Sequence, residues 1–200
     1  MRLRRNPNPK VCRSTKTGLR RRLTCAAWLL LLSLCIAPAL LAQSPPTELQ
    51  VKAAFLYKFG AFVTWPNPAP NGSFDICILG HDPFGKTLDA TIAGESINGK
   101  NLAANRISSV QEAAQCRILF ISSSEESRLR EILLALNKLP VLTVSDMPRF
   151  VERGGMIQFV LESGRVRFEA NMASAQNAGI TFSSQLLKVA SAVRHGEARD

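Results

Sequence analysis

The sequence predicts an α/β fold: a mostly parallel sheet flanked by helices, with a C-terminal antiparallel hairpin. Short apolar runs at 74–79, 117–122 and 141–144 are too brief for helices and read as buried strands. The segments between them carry helix caps and helical apolar spacing. That alternation is the mark of βαβ units, which close right-handedly onto a parallel sheet. Beyond Gly155 the pattern changes, because 156–161 and 165–170 flank Glu162-Ser163-Gly164, a hairpin turn.

The amino-terminal segment stands apart from this domain. Of the chain's 25 basic residues, nine fall within residues 1–42, which hold no acidic residue. The remainder carries 16 basic against 15 acidic residues, so the formal charge of +10 belongs to the leader. No basic field is left on the domain to hold nucleic-acid phosphates. Arg20-Arg21-Arg22 precedes an apolar run over 23–42 that ends in small residues, the pattern of a secretory signal. The expected cut follows Ala42, with Ala37-Pro38-Ala39 as a second option. An uncleaved anchor is the alternative, and helix-breaking Pro38 weighs against it. Either way the basic flank stays inside and residues 43–200 face outward. The organisation expected is a signal peptide at 1–42, a leader at 43–47, one α/β domain at 48–194 and a tail at 195–200.

Within the domain, Thr47-Glu48-Leu49-Gln50 is a capping box that opens a helix. Val51, Phe55, Phe59 and Phe62 follow at helical spacing, and the helix ends before Trp65-Pro66. Its aromatic density reads as core packing, since Lys52 and Lys58 leave only a thin polar face. The run at 74–79 lies between Gly72 and Gly80. Asp82 is expected to cap the next helix, with Pro83 at its first position. Ile97-Asn98-Gly99-Lys100 supplies a turn, and a strand lies between Ile92 and Ile107. A short helical stretch at 110–114 precedes the strand at 117–122. Ser123-Ser124-Glu125-Glu126 starts the following helix, its glutamates suited to the positive helix end. Leu129, Ile132, Leu133 and Leu136 form that helix's apolar stripe, and Pro140 stops it. Arg165, Arg167 and Glu169 alternate with Val166, Phe168 and Ala170, so one face of that strand meets water. A last helix is expected over 183–193.

Export leaves Cys77 and Cys116 as the remaining cysteines. An even pair in an oxidising compartment is expected to form one disulfide, the alternative being two buried thiols. Catalytic signals are sparse. There is no Gly-x-Ser-x-Gly elbow, no Gly-x-Gly-x-x-Gly and no Walker loop. His81 and His195, the chain's two histidines, lack metal-ligand spacing. No metal, cofactor or catalytic set is therefore expected. Ligands in open α/β sheets sit beyond the carboxyl strand ends. A possible pocket there combines His81, Asp82, Ser123, Ser145 and Asp146, although Ser and Asp at such ends more often cap helices.

Several segments resemble the YfiR-like family of bacterial periplasmic proteins. They include Lys52-Ala53-Ala54-Phe55-Leu56-Tyr57-Lys58-Phe59 with Trp65-Pro66, and Cys77-Ile78-Leu79-Gly80 with Asp82-Pro83-Phe84-Gly85. Ile97-Asn98-Gly99-Lys100, Cys116-Arg117-Ile118-Leu119-Phe120-Ile121-Ser122 and Leu142-Thr143-Val144-Ser145-Asp146 follow in order. Gly154-Gly155-Met156-Ile157, then Arg165-Val166-Arg167-Phe168-Glu169-Ala170-Asn171 and Gly179-Ile180, complete the set. The resemblance implies a periplasmic α/β domain that forms a homodimer and regulates by binding. Its implied partner is the periplasmic part of a membrane-bound diguanylate cyclase, held inactive so that cyclic-di-GMP and biofilm growth fall. It also maps the family's cysteine pattern onto Cys77 and Cys116, while a second pair known in some members is absent here. The other functional class is a periplasmic small-ligand sensor acting on another membrane receptor or a histidine kinase.

Overall fold

The computed structural model describes residues 45–68 and 72–196. The expected signal peptide at 1–42, with residues 43–44 and 197–200 of the expected leader and tail, lies outside the described residues. Helix α1 is Glu48–Phe62. Thr47 caps it as the sequence predicts: its hydroxyl accepts from Gln50 N at 3.3 Å, and its own N–H donates to Gln50 Oε1 at 2.8 Å. Otherwise orphaned amides are thereby satisfied from within the helix start. Phe55 and Phe59 of α1 pack inward, with Phe59 edge-on to Phe168 at 5.1 Å between ring centroids and Phe55 stacked on Phe59 at 5.8 Å, whereas Phe62 of the expected apolar stripe is exposed.

After α1 come β1 (Val63–Thr64) and β2 (Phe74–Leu79). Helix α2 (Lys86–Ile92) leads to β3 (Ser96–Ile97) and β4 (Lys100–Ile107). A 3-10 segment, Val110–Gln115, precedes β5 (Ile118–Ile121). A second one, Ser123–Arg128, runs into α3 (Leu129–Ala135) and then β6 (Leu142–Ser145). The hairpin is β7 (Ile157–Glu162) with β8 (Arg165–Asn171). Helix α4 (Met172–Asn177), β9 (Thr181–Phe182), α5 (Ser184–Val189) and β10 (Ala192–Arg194) close the described chain.

Eight strands form one sheet in the order β10-β8-β7-β6-β5-β2-β4-β3. The central run from β4 through β7 is parallel, β8 is antiparallel to β7, and β3 is antiparallel to β4. A small antiparallel pair, β1 with β9, sits beside it with Val63 opposite Phe182. The two-residue period of a strand divides the core. Ile76, Ile78, Ile118, Phe120, Leu142 and Val144 face α1, α2 and α5. Cys77, Leu79, Leu119 and Ile121 face α3, the 110–115 segment, Met147 and Phe150. Each fully buried Ile or Phe contributes about 1.5–3 kcal/mol over leaving it exposed. Both tight turns carry the backbone that hairpins require. Asn98 and Gly99 have φ of 52° and 75°, and Ser163 and Gly164 have φ of 50° and 72°.

The structure corrects two element boundaries. Asp82 and Pro83 do not open a helix, because α2 starts at Lys86 with Gly85 before it. Asp82 Oδ1 instead accepts from Phe84 N at 2.7 Å in a local turn that seats the Phe84 ring edge-on against Phe120. The last helix stops at Val189, and residues 192–193 of the expected helix belong to β10. β8 would otherwise present an open edge, and β10 covers it in parallel register, opposite Glu169, Ala170 and Asn171. Helix α4, capped by the Asn171 side chain accepting from Ser174 N at 3.1 Å, had no distinct sequence signal.

Candidate functional site

Cys77 and Cys116 form a disulfide, with Cα atoms 5.9 Å apart and a sequence separation of 39. Cys77 sits within β2, and Cys116 closes the 110–115 segment that Ser109 and Glu112 cap reciprocally. The alternative of two free thiols is thereby removed. A loop of that length gives about 4 kcal/mol on the chain-entropy account.

Of the residues expected to make a pocket at the carboxyl strand ends, Ser145, Asp146 and Asp82 bond within the fold, while His81 and Ser123 are exposed. Ser145 is fully buried, and its hydroxyl donates to Ile121 O at 2.7 Å and accepts from Met147 N at 3.1 Å. It ties β6 to β5 and begins the next turn. Asp146 Oδ2 lies 2.8 Å from Lys52 Nζ, which also meets Glu48 at 2.6 Å. Burial alone would lower the Lys52 pKa; the hydrogen bonds and charges of Asp146 and Glu48 outweigh it and hold the ammonium above its usual 10.5. Asp82 pairs with Arg106 Nε at 2.8 Å, and the same guanidinium grips Asp89 through bonds of 2.8 and 2.7 Å. That grip keeps the Asp89 carboxyl below its usual 3.8. His81 is exposed and its backbone N–H donates to Ser124 Oγ at 2.9 Å. Ser123 is exposed at the start of the 123–128 segment. None of the five lines either of the two clefts described next.

Two clefts lie elsewhere. A groove of about 730 Å³ runs between α3, residues 153–156 and α4. Leu133, Leu134 and Met156 give it apolar walls, and Leu134 is 67% exposed. Arg130, Lys138 and Arg153 also line it, and Arg153 meets Glu126 at 3.1 Å.

The smaller cleft, about 280 Å³, lies at the amino ends of β2, β4 and β5. Arg117 enters it from the residue before β5 and is 4% exposed. Its Nη2 donates to Asn67 O at 2.6 Å, its guanidinium lies 5.7 Å from the Trp65 ring centre, and burial lowers its pKa. Trp65 stands edge-on to Phe74 at 5.4 Å, and its buried Nε1 has no hydrogen-bond partner among the described residues. Sequence reading took Trp65 as a helix-end signal and Arg117 as the start of a strand. The signal passed over was a charged residue at the head of an otherwise buried apolar run.

Among solved structures, the chain is similar to a conserved domain protein from Vibrio cholerae O1 biovar El Tor, with a TM-score of 0.51 at 13% identity. The match covers 76% of this chain and 62% of that one, less than two thirds of its length. It shows the α/β fold alone. A second similarity is to an ABC domain from Streptococcus pneumoniae in complex with L-Trp, with a TM-score of 0.49, 15% identity and coverage of 70% of this chain and 60% of that one. Residues 49–191, well over half of the chain, match the family described as YfiR/HmsC-like, and the chain belongs to that family.

Proposed function

We propose that this chain is a periplasmic regulatory protein that binds and represses a membrane-bound diguanylate cyclase, and that it acts as a homodimer. The observation that carries the reading is the family match over residues 49–191. The charge asymmetry of the leader supports export, and among the described residues no helix is long and apolar enough to cross a membrane. Repression at a distance requires that the active and inactive states of the cyclase bind this protein unequally. Near-complete silencing of a mostly active enzyme takes about 5.5 kcal/mol of differential affinity. Such a preference needs apolar anchors that become fully desolvated on docking. The groove beside α3, with Leu134 standing 67% exposed, supplies a surface of that kind.

Deleting the gene is expected to raise cyclic-di-GMP and surface attachment, and an exported copy is expected to reverse both. A copy carrying Leu134→Arg should accumulate normally, because that side chain is exposed, yet fail to restore repression. Unchanged cyclic-di-GMP after deletion, under conditions where the gene is expressed, would reject the cyclase reading. Size measurement by light scattering tests the homodimer.

A further inference from the structure

We propose that the cleft at the amino ends of β2, β4 and β5 binds a small organic carboxylate, its head on Arg117 and Lys100 and its apolar body against Trp65 and Phe74. The inference is independent of the cyclase reading and uses none of the groove beside α3.

Hydrogen-bond accounting carries the argument. Buried polar groups in folded proteins are nearly always satisfied, and an exception calls for an explanation. This cleft gathers such exceptions. The Trp65 indole N–H is buried with no acceptor among the described residues. Arg117 offers five donors in a fixed fork, yet its side chain has one recorded bond, to the Asn67 carbonyl. No carboxylate among the described residues forms an ion pair with it. Asp75, whose carbonyl accepts from Arg117 N, is engaged through its side chain by Ser73 at 2.9 Å and does not line the cleft. Lys100 adds a second cation, held by Gly72 O at 3.3 Å, and no lining residue is acidic. The lining carries two cations and no carboxylate, with Thr64, Asn67 and Asn98 as its neutral polar residues, a charge balance that complements an anion.

Size and the remaining walls select the kind of anion. About 280 Å³ is close to the lower bound of ligand pockets, roughly 300 Å³. Half-buried Trp65 gives an apolar wall beside the cations, with the buried Phe74 and Ile97 behind it. A bare inorganic ion would leave that wall unused. A planar carboxylate matches the guanidinium fork in two parallel bonds, and an attached apolar chain or ring lies on Trp65, with its edge reaching Phe74.

The test uses protein purified from the periplasm, with thermal unfolding and tryptophan emission as readouts. Trp28, the chain's other tryptophan, falls in the expected signal peptide, so Trp65 reports alone after export. Phenylacetate and hexanoate at millimolar concentration are expected to raise Tm and shift the emission. Phenylacetamide and inorganic phosphate at matched ionic strength are expected to do neither. Arg117→Met should weaken phenylacetate binding about tenfold or more, as loss of a charge-assisted bidentate contact does. Its ligand-free Tm should be equal or higher, because an uncompensated buried charge is replaced by a side chain of similar volume. Lys100→Met, at a half-buried position, should also weaken binding without affecting folding. The site is overturned if neither carboxylate shifts wild-type protein, or if Lys100→Met binds like wild type. Equal effects of phosphate or phenylacetamide overturn the organic carboxylate.

Discussion

The two ends of the parallel sheet use charge in opposite ways. At the carboxyl end every predicted polar group either bonds within the fold or lies exposed at a segment start. Ser145 bridges β5 and the turn after β6, Asp146 and Glu48 neutralise Lys52, and Asp82 shares Arg106 with Asp89. At the amino end, buried Arg117 has the Asn67 carbonyl as its acceptor and no carboxylate in an ion pair among the described residues, and the buried Trp65 indole N–H has no acceptor among them. The rule that open α/β sheets bind beyond their carboxyl strand ends presumes that those ends are left free. Here the 123–128 segment starts directly after β5, and Lys52 from α1 pairs with Asp146 just beyond β6.

The largest expected effect comes from the bond beside the amino-end cleft. Cys116 adjoins Arg117, so replacing Cys77 and Cys116 by serine loosens the chain that positions the guanidinium. The loss should be about 4 kcal/mol, within the 2–5 typical of small exported domains. Urea unfolding of oxidised protein with and without reductant, beside the double variant, measures it. An unchanged midpoint would show that the bridge carries no stability.

Next is the contrast between two buried cations. Lys52→Met strips the counter-charge from Asp146 and should cost about 2–3 kcal/mol, below the 3–5 of a fully buried pair because Asp146 is partly wet. Arg117→Met should cost nothing or stabilise. If both variants destabilise alike, the two ends do not differ as described. The pH dependence sharpens the point. Lys52 titrates above 10.5 in the folded protein, so its pairing stabilises fully below that value. The contribution is lost as pH rises through the elevated folded pKa. The gap between wild type and Lys52→Met should therefore stay constant through neutral pH and close only in strongly alkaline solution.

The smallest effect belongs to Arg106. Its pairs with Asp82 and Asp89 are partly solvated, so Arg106→Gln should cost under about 1 kcal/mol. Proton titration by NMR is the sharper readout. Asp89 is held below 3.8, and its pairing contributes above that value and is lost as pH falls through the depressed folded pKa. In Arg106→Gln the Asp89 carboxyl should return towards 3.8.

Much of this architecture was legible because local chemistry and the final fold agree. Thr47 and Gln50 form the expected capping box, Asn98-Gly99 and Ser163-Gly164 form the expected turns, and the runs around Ile76, Phe120 and Val144 are the buried strands. The errors arose where a distant residue claimed a local group. The Asp82 carboxylate is shared between Phe84 N in a local turn and the distant Arg106, in place of capping a helix, and the edge of β8 recruits residues 192–193 away from the expected helix. The amino-end cleft was hidden for the same reason. Trp65 and Arg117 lie far apart in the chain, and only the pairing of β2 with β5, beside the end of α1, brings them together.

The strands at the two edges of the large sheet set a condition on any partner. β10 offers three residues and β3 two, each at the outer margin of an eight-stranded sheet. β3 pairs only with Lys100 and Asn101 of β4, and β10 only with Glu169, Ala170 and Asn171 of β8, so residues 103–107 of β4 have no outer strand partner among the described residues. Recognition by strand addition, which draws its affinity from main-chain bonding, would have that stretch of β4 to extend, whereas β10 blunts the far edge where it covers the end of β8.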